Sequence, residues 1–88
     1  MIRRRVVLSG RVQGVFFRDS LRRMAASRAV AGWVRNNADG TVEAAFEGRP
    51  DAVEALVDFC RHGPRGAVVE HVEEREEEPQ RETGFRIE

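Results

Sequence analysis

The sequence predicts an α+β fold in which two helices cover one face of an antiparallel sheet. Three observations lead to this prediction. The 88 residues fit one domain spanning 1–88, and 41% of them are hydrophobic, which suffices for one modest core. Stretches with the two-residue period of strands alternate with stretches that have the period of helices. An Asp-Gly pair lies between two of the strand-like stretches, as it does in β-hairpins.

The first two elements are a strand and a helix. The mostly apolar and β-branched stretch 6–12 predicts a strand, which a glycine-bounded loop ends. From Phe17 onwards apolar residues recur at helical spacing, at Phe17, Leu21, Met24 and Ala25. We expect this helix to end before Gly32. The large aromatic residues Phe16, Phe17 and Trp33 are expected to be core residues.

The middle of the chain predicts a hairpin and a second helix. Residues 33–37 and 41–47 have the pattern of strands, and the turn 38–40, Ala-Asp-Gly, joins them. Pro50 suits the first turn of a helix, and Gly63 suits the position just after its end. The apolar face of that helix is expected to contain Val53, Leu56, Val57 and Cys60.

The last quarter of the chain is more strongly charged. Residues 67–75 predict a fourth strand, whereas the stretch 73–82 is rich in glutamate and contains Pro79, so we expect an exposed loop or a frayed edge there. Residues 84–87 are compatible with a short fifth strand. The resulting order, βαββαβ, is that of the ferredoxin-like α+β sandwich. Because many activities share this topology, the order alone does not indicate a function.

Charge and cysteine content limit the classes of function. The 15 basic and 15 acidic residues cancel, which argues against a general electrostatic affinity for nucleic acid or for a membrane surface. No apolar stretch approaches the length of a membrane span or of a signal-peptide core. The lone Cys60 excludes an intrachain disulfide. We expect a cytoplasmic protein that binds neither nucleic acid nor membrane, and we expect it to be a monomer.

The loop between the first strand and the first helix, GRVQGVFFR, has the features of an anion-binding site. Gly10 and Gly14 can adopt positive φ angles, which lets successive main-chain N–H groups point inward. The helix that follows adds unpaired N–H groups and a partial positive charge. Arg18 can direct two N–H donors at two phosphate oxygens. On glycine spacing alone, a tight strand-to-helix connection with a surface arginine is the simpler explanation.

Asn36 is expected to lie near this loop. In a βαββαβ sheet the first two strands run in the same direction, so their C-terminal ends share one edge of the sheet. The carboxamide of Asn36 could accept a hydrogen bond from water through its oxygen and donate one to a phosphate oxygen through its nitrogen. The alternative is that Asn36 and Asn37 merely begin the hairpin turn, where asparagine is favoured.

Two stretches together resemble the signatures of the acylphosphatase family. The first signature, Gly-x-Val-Gln-Gly-Val-x-Phe-Arg after an aliphatic residue, is matched by LSGRVQGVFFR at 8–18. The second, Gly-aromatic-small-basic-Asn-x₃-Gly-x-Val-x₅-Gly, is matched by GWVRNNADGTVEAAFEG at 32–48. Two long patterns in the right order are far more specific than either glycine loop alone. The chain departs from the family at its end, where many members have an aromatic residue and this sequence has Glu88.

The resemblance implies an enzyme that hydrolyses the carboxyl–phosphate bond of acyl phosphates. It implies that Arg18 binds the phosphate and that Asn36 orients the attacking water. The main-chain N–H groups of the loop would form the cradle, at Gln13, Gly14, Val15, Phe16 and Phe17. It implies no cofactor, and no cluster of His, Cys, Asp or Glu has the spacing of a metal site.

Other functions of the same topology stay open at this stage. A nucleic-acid-binding module would show exposed aromatic residues and a basic face, whereas the strand TVEAAFEG carries two glutamates and a single phenylalanine. A small-ligand regulatory domain, or a domain that holds phosphate without turnover, would bind its ligand but fail to cleave benzoyl phosphate.

Overall fold

The computed structural model describes residues 1–88 and confirms the predicted order of elements. The chain forms five strands and two helices: β1 (Ile2–Arg11), α1 (Phe17–Ser27), β2 (Ala31–Asn36), β3 (Val42–Gly48), α2 (Pro50–His62), β4 (Val68–Glu77) and β5 (Phe85–Ile87). The fold class, a ferredoxin-like α+β sandwich, is therefore confirmed. The short stretch near the end of the chain does form a fifth strand.

The five strands form one mixed sheet in the order β4-β1-β3-β2-β5. β1 pairs antiparallel with β3 and β4, and β2 pairs antiparallel with β3. β5 pairs with β2 in parallel, which makes the sheet mixed rather than purely antiparallel. Because β1 and β2 both run opposite to β3, their C-terminal ends lie at one edge of the sheet. We call this the upper edge, and we call the opposite one the lower edge.

The core lies between one face of the sheet and the two helices. Sixteen buried residues form a single hydrophobic cluster, to which α1 contributes Phe17, Leu21 and Ala25 and α2 contributes Val53, Leu56 and Val57. Cys60 is also fully buried in this cluster, and burial raises the pKa of its thiol. The predicted apolar faces of both helices are thus confirmed.

The other face of the sheet is covered by charged side chains. Trp33 is buried, as expected, but it lies on this face and outside the core cluster. Two guanidinium groups lie over its ring. The Cζ atom of Arg5 is 5.1 Å from the ring centroid, and that of Arg35 is 4.8 Å from it. Glu43 accepts hydrogen bonds from both arginines, at 3.0 and 3.2 Å. The exposed aromatic platform that a nucleic-acid-binding sheet needs is therefore not present on this face.

Two strands are longer than the sequence predicts. β1 begins at Ile2 rather than at residue 6, and β4 runs to Glu77, into the stretch expected to be a loop. Cross-strand pairing explains both differences, because the arginines of β1 lie opposite the charged end of β4 in the register pairs Arg3–Glu77 and Arg4–Glu76. Opposite charges on paired strands stabilise a sheet by about 0.2–1 kcal/mol per pair.

Gly32 lies inside β2, not between the helix and the strand as expected. Its φ angle is +134°, and a Cβ atom there would collide with the main-chain oxygen of Ala45 on β3. Glycine is required because two strands approach each other closely at this point.

A buried ionic cluster lies at the lower edge. Arg3 is only 2% exposed and donates hydrogen bonds to three carboxylates: Glu47 at 3.1 Å, Glu77 at 3.0 Å and Glu82 at 3.5 Å. The Glu47 carboxylate also accepts from the main-chain N–H groups of Gln80, at 2.7 Å, and of Glu82, at 3.2 Å. These contacts fasten the connection 78–84, which carries the chain from β4 to β5.

Candidate active site

A cavity of about 310 Å³ opens at the upper edge, where the loop after β1, the start of α1 and the end of β2 meet. Eight residues line it: Val12, Gly14, Phe16, Phe17, Arg18, Asp19, Asn36 and Ile87. The structure therefore brings Arg18 and Asn36 to one cavity, although 18 positions separate them in the sequence. The shared direction of β1 and β2 accounts for this juxtaposition.

The loop contains a run of main-chain N–H groups that have no acceptor within the chain. Gly14 and Phe16 both have left-handed backbone angles, with φ of 74° and 61°. α1 begins without a side-chain cap, because Phe16 stands at the N-cap position, where a serine or aspartate would normally satisfy an N–H group. The first hydrogen bond of the helix is donated by Ser20 to the Phe16 oxygen. The N–H groups from Gly14 to Asp19 find no acceptor within the chain.

Arg18 differs from every other arginine of the chain. It is half-buried, yet it makes no ion pair, whereas the remaining arginines without an ion pair (Arg11, Arg28, Arg65 and Arg81) are all exposed. A guanidinium that is partly removed from water normally gains a carboxylate partner. The positive charge in this cavity is therefore uncompensated within the chain.

The neighbouring carboxylate does not compensate Arg18. Asp19 lines the same cavity but pairs with Arg22 at 2.6 Å and Arg23 at 3.2 Å, one turn further along the helix. The hydrogen bond from Arg22 lowers the pKa of the Asp19 carboxyl, so this group is ionised and engaged at neutral pH. It is placed to support the first turn of α1 and not to neutralise the cavity.

Asn36 has an unmet hydrogen-bond acceptor. Side chains alternate along a strand, so Asn36 shares the helix-facing side of β2 with the core residue Val34. Its Oδ1 atom is buried and has no hydrogen-bond partner. Leaving a buried polar atom unsatisfied costs about 1–3 kcal/mol. Such an atom at the wall of a cavity is a place where a water or a ligand group would be stabilised.

The five loop residues predicted for the cradle are placed differently from one another. Gly14, Phe16 and Phe17 line the cavity, whereas Gln13 and Val15 do not. The Gln13 side chain instead donates to the main-chain oxygens of Asn37, at 2.8 Å, and Thr41, at 3.0 Å. These hydrogen bonds connect the loop to the β2–β3 hairpin. They thereby fix the distance between the loop that precedes Arg18 and the end of β2 that carries Asn36.

Two features of the site were not predicted from the sequence. Ile87 reaches the cavity from β5, which pairs with β2 so that Ile87 lies opposite Val34. The stretch 84–87 indicates the strand but not its place in the sheet. Phe16 was expected in the core, but it is 79% exposed at the cavity, and this expectation is wrong. Its left-handed backbone turns the side chain out of the helix pattern.

Titratable groups other than Asp19 and Arg18 lie outside the cavity. His62 is exposed at the end of α2, and His71 is exposed on β4. No group of three or more His, Cys, Asp or Glu side chains is placed to hold a metal ion. Neither helix has the length and hydrophobicity that crossing a bilayer requires.

The fold and this cavity define a small α+β domain with Arg18 and Asn36 at one edge of its sheet, and comparison with known proteins identifies its family. The acylphosphatase family model matches residues 4–87. An acylphosphatase of Gloeobacter violaceus is 50% identical over 86 residues, which are 98% of this chain and 92% of that protein. One of Rubrobacter xylanophilus is 60% identical over 73 residues, 83% of this chain and 66% of that protein.

Solved structures agree with the sequence comparison. The crystal structure of acylphosphatase from Bacillus subtilis superimposes with a TM-score of 0.93 at 34% identity, covering 99% of this chain and 98% of that one. The chain belongs to the acylphosphatase family. It is an enzyme that hydrolyses the carboxyl–phosphate bond of acyl phosphates, giving a carboxylate and inorganic phosphate.

Proposed function

We propose that Arg18 and the main-chain N–H groups of residues 13–17 bind the phosphoryl group, and that Asn36 orients the attacking water. The observation that carries this proposal is the guanidinium of Arg18, half-buried and without a carboxylate in a cavity that it shares with Asn36. A substrate phosphoryl group supplies the missing negative charge. Its oxygens match the forked donors of an arginine.

The free N–H groups of the loop support the same assignment. Left-handed residues in a turn aim successive N–H groups into a concave surface, and the start of α1 adds its own unpaired donors. These donors are fixed by the backbone, so they need little reorganisation when charge develops on the peripheral oxygens. Pre-arranged donors of this kind account for a large part of many rate enhancements.

Asn36 is suited to hold water rather than to remove a proton. The unsatisfied Oδ1 can accept a hydrogen bond from water, while the amide nitrogen can donate to a phosphoryl oxygen. A carboxamide does not titrate, so it acts by position. Holding the water close to the phosphorus atom lowers the entropic part of the barrier.

The chemistry of the leaving group explains how so few groups suffice. An acyl phosphate releases a carboxylate, whose conjugate acid has a pKa of about 4, so that departure needs little protonation. The transition state is loose, with charge on the peripheral oxygens and the leaving group, and the donors described above meet that charge. We propose that the phosphoryl group itself accepts the proton of the water and that no metal takes part. The lack of a carboxylate or histidine cluster supports this.

The test is a titration with inorganic phosphate followed by amide NMR, together with an assay on benzoyl phosphate. The N–H signals of residues 13–17 should shift, phosphate should inhibit competitively, and a chelator should leave the rate unchanged. Shifts confined to other parts of the chain would contradict the phosphate site. Loss of activity that added metal restores would contradict the metal-free mechanism.

We further propose that the chain 1–88 acts as one domain, as a monomer in the cytoplasm, and without nucleic acid as a partner. The balanced charge and the arginine-covered Trp33 support the last point. Sedimentation velocity tests the oligomeric state, and filter binding with single-stranded RNA tests the nucleic-acid alternative. A stable complex in either experiment would contradict the corresponding statement.

A further inference from the structure

The cavity has an apolar wall that phosphate binding does not explain. Its four hydrophobic lining residues are Val12, Phe16, Phe17 and Ile87. Val12 and Phe17 are core residues, whereas Phe16 is 79% and Ile87 is 40% exposed. These two are half of the four large hydrophobic residues exposed on the protein, the others being Met1 and Val68. Exposed apolar side chains are thus concentrated beside Arg18.

Phe16 is an unfavourable residue for its position by every local criterion. Its φ of 61° is a conformation that costs a bulky residue about 1–3 kcal/mol and that asparagine or glycine adopts more easily. It occupies an N-cap position, where a side chain with an acceptor would stabilise the helix. Its ring gains little from burial. Residues that break local rules without structural gain are expected at functional positions.

We propose that Phe16 and Ile87 bind the acyl group of the substrate, and that the enzyme prefers acyl phosphates with an uncharged apolar acyl group. This inference rests on the proposed function, because the acyl group must extend from a phosphoryl group held by Arg18. One cavity contains both the donors and the apolar wall. Its volume of about 310 Å³ is at the small end of ligand sites, which run from about 300 to 1,000 Å³.

The charges around the cavity favour an apolar acyl group over a charged one. Arg18 is the only basic residue that lines the cavity, and the phosphoryl group engages it. Asp19 is the only acidic residue that lines it, and its carboxylate is already paired with Arg22 and Arg23. No lining residue is therefore available to bind an anionic acyl group. The remaining surface of the wall is hydrocarbon.

The experiment compares kcat/KM for benzoyl phosphate and acetyl phosphate in matched variants. Phe16→Asn keeps a residue that tolerates the left-handed backbone but removes the apolar ring, and Phe16→Leu keeps an apolar side chain. Ile87→Ser removes the other part of the wall, and Val68→Ser removes an exposed apolar side chain elsewhere. Thermal denaturation by circular dichroism confirms that each variant is folded.

The benzoyl-to-acetyl ratio of kcat/KM should fall about fivefold to tenfold in Phe16→Asn and in Ile87→Ser, the lower end of what apolar contacts contribute to discrimination. It should stay within about twofold of the parent value in Phe16→Leu and Val68→Ser. An unchanged ratio in both Phe16→Asn and Ile87→Ser would overturn the acyl site and leave the phosphate site standing. A parent enzyme that hydrolyses neither substrate would instead refute the proposed function.

Discussion

Two arginines at opposite edges of the sheet differ in whether they have carboxylate partners. At the lower edge Arg3 is buried, and three carboxylates accept its hydrogen bonds. At the upper edge Arg18 is half-buried, and no carboxylate pairs with it. Main-chain N–H groups accompany both arginines. Those of Gln80 and Glu82 point at the Glu47 carboxylate, whereas those around Gly14 have no acceptor.

The difference shows what the upper edge lacks. One guanidinium and two main-chain N–H groups converge on the Glu47 carboxylate, whereas no carboxylate of the chain pairs with Arg18 at the cavity of the other edge. An internal anion makes the lower cluster part of the fold. The upper edge has no such internal partner for Arg18, and under the proposed function a phosphoryl group of the substrate takes that place. Each prediction below changes one side of this comparison.

The largest effect is expected from Arg18→Ala. Removing the only cation of the cavity should lower kcat/KM for benzoyl phosphate by about 10³-fold, as the loss of a transition-state arginine does elsewhere. The free energy of unfolding should change little, because Arg18 makes no ion pair in the folded chain. Steady-state kinetics and urea denaturation measure the two quantities. A large loss of stability would show that Arg18 serves the fold and would remove the contrast with Arg3.

Arg3→Met should lower the stability of the fold but not the rate of hydrolysis, which is the opposite of the result expected for Arg18→Ala. The Glu47 carboxylate would stay buried without its counter-charge, and we expect the free energy of unfolding to fall by about 3 kcal/mol. The rate per folded molecule should be close to that of the parent. Arg75→Met is the control, because Arg75 is 69% exposed and its one ion pair is long, at 3.9 Å. That change should cost less than about 1 kcal/mol, and equal effects of the two variants would contradict the prediction.

Asn36→Ala separates the role of Asn36 from that of Arg18 at the upper edge. It should lower kcat about 10²-fold, the size expected for one positioning contact, with a smaller effect on the inhibition constant of inorganic phosphate. The reason is that, in the proposed mechanism, the unpartnered Oδ1 atom holds the water and not the phosphoryl group. The fold should not suffer, because Oδ1 has no partner to lose. Turnover at the parent rate would show that the water is held in another way.

The smallest effect expected is a dependence of the free energy of unfolding on pH, which arises from the Glu47 carboxyl at the lower edge. Burial by itself would raise the pKa of the Glu47 carboxyl, but hydrogen bonds from the Gln80 N–H, from Arg3 and from the Glu82 N–H outweigh it and lower this pKa below 4.5. The unfolded chain therefore takes up the proton first as the pH falls. The stability that Glu47 contributes is complete above a pH of 4.5 and is lost as the pH drops through the lower, folded-state pKa.

Urea denaturation across this acidic range measures the effect. The free energy of unfolding should decline more steeply in the parent than in Glu47→Gln, which cannot titrate at this position. Glu77, whose pKa is also lowered, adds to the slope in both proteins. Equal slopes would mean that the lower cluster does not control the acid response.

The sequence predicts the upper edge better than the lower one for a physical reason. The glycine loop and Arg18 are local features, and the order of elements alone gives β1 and β2 the same direction, which puts Asn36 at the same edge as the loop. The lower cluster joins Arg3 to carboxylates 44 to 79 positions away, and no local pattern contains that information. Glutamate is a poor strand former by itself, so the end of β4 could be recognised only together with its arginine partners on β1.

The same reasoning explains the details of the site that were missed. Ile87 reaches the cavity because β5 adds to the edge of β2, and a three-residue strand does not reveal which partner it joins. The sequence predicts Phe16 in the core because apolar residues usually lie there, and only the left-handed backbone shows that its ring points elsewhere. The part of the site made by side chains from distant strands therefore required the structure.

The buried thiol of Cys60 on α2 can be used to measure how often the protein opens. Cys60 is completely buried, and its raised pKa keeps it in the unreactive thiol form while the helix is seated on the sheet. A thiol-specific dye can react only when α2 lifts away or the whole chain opens. The labelling rate of the unmodified protein therefore measures how often this thiol is uncovered, by separation of α2 from the sheet or by opening of the whole chain, with no engineered label and no change to the loop after β1.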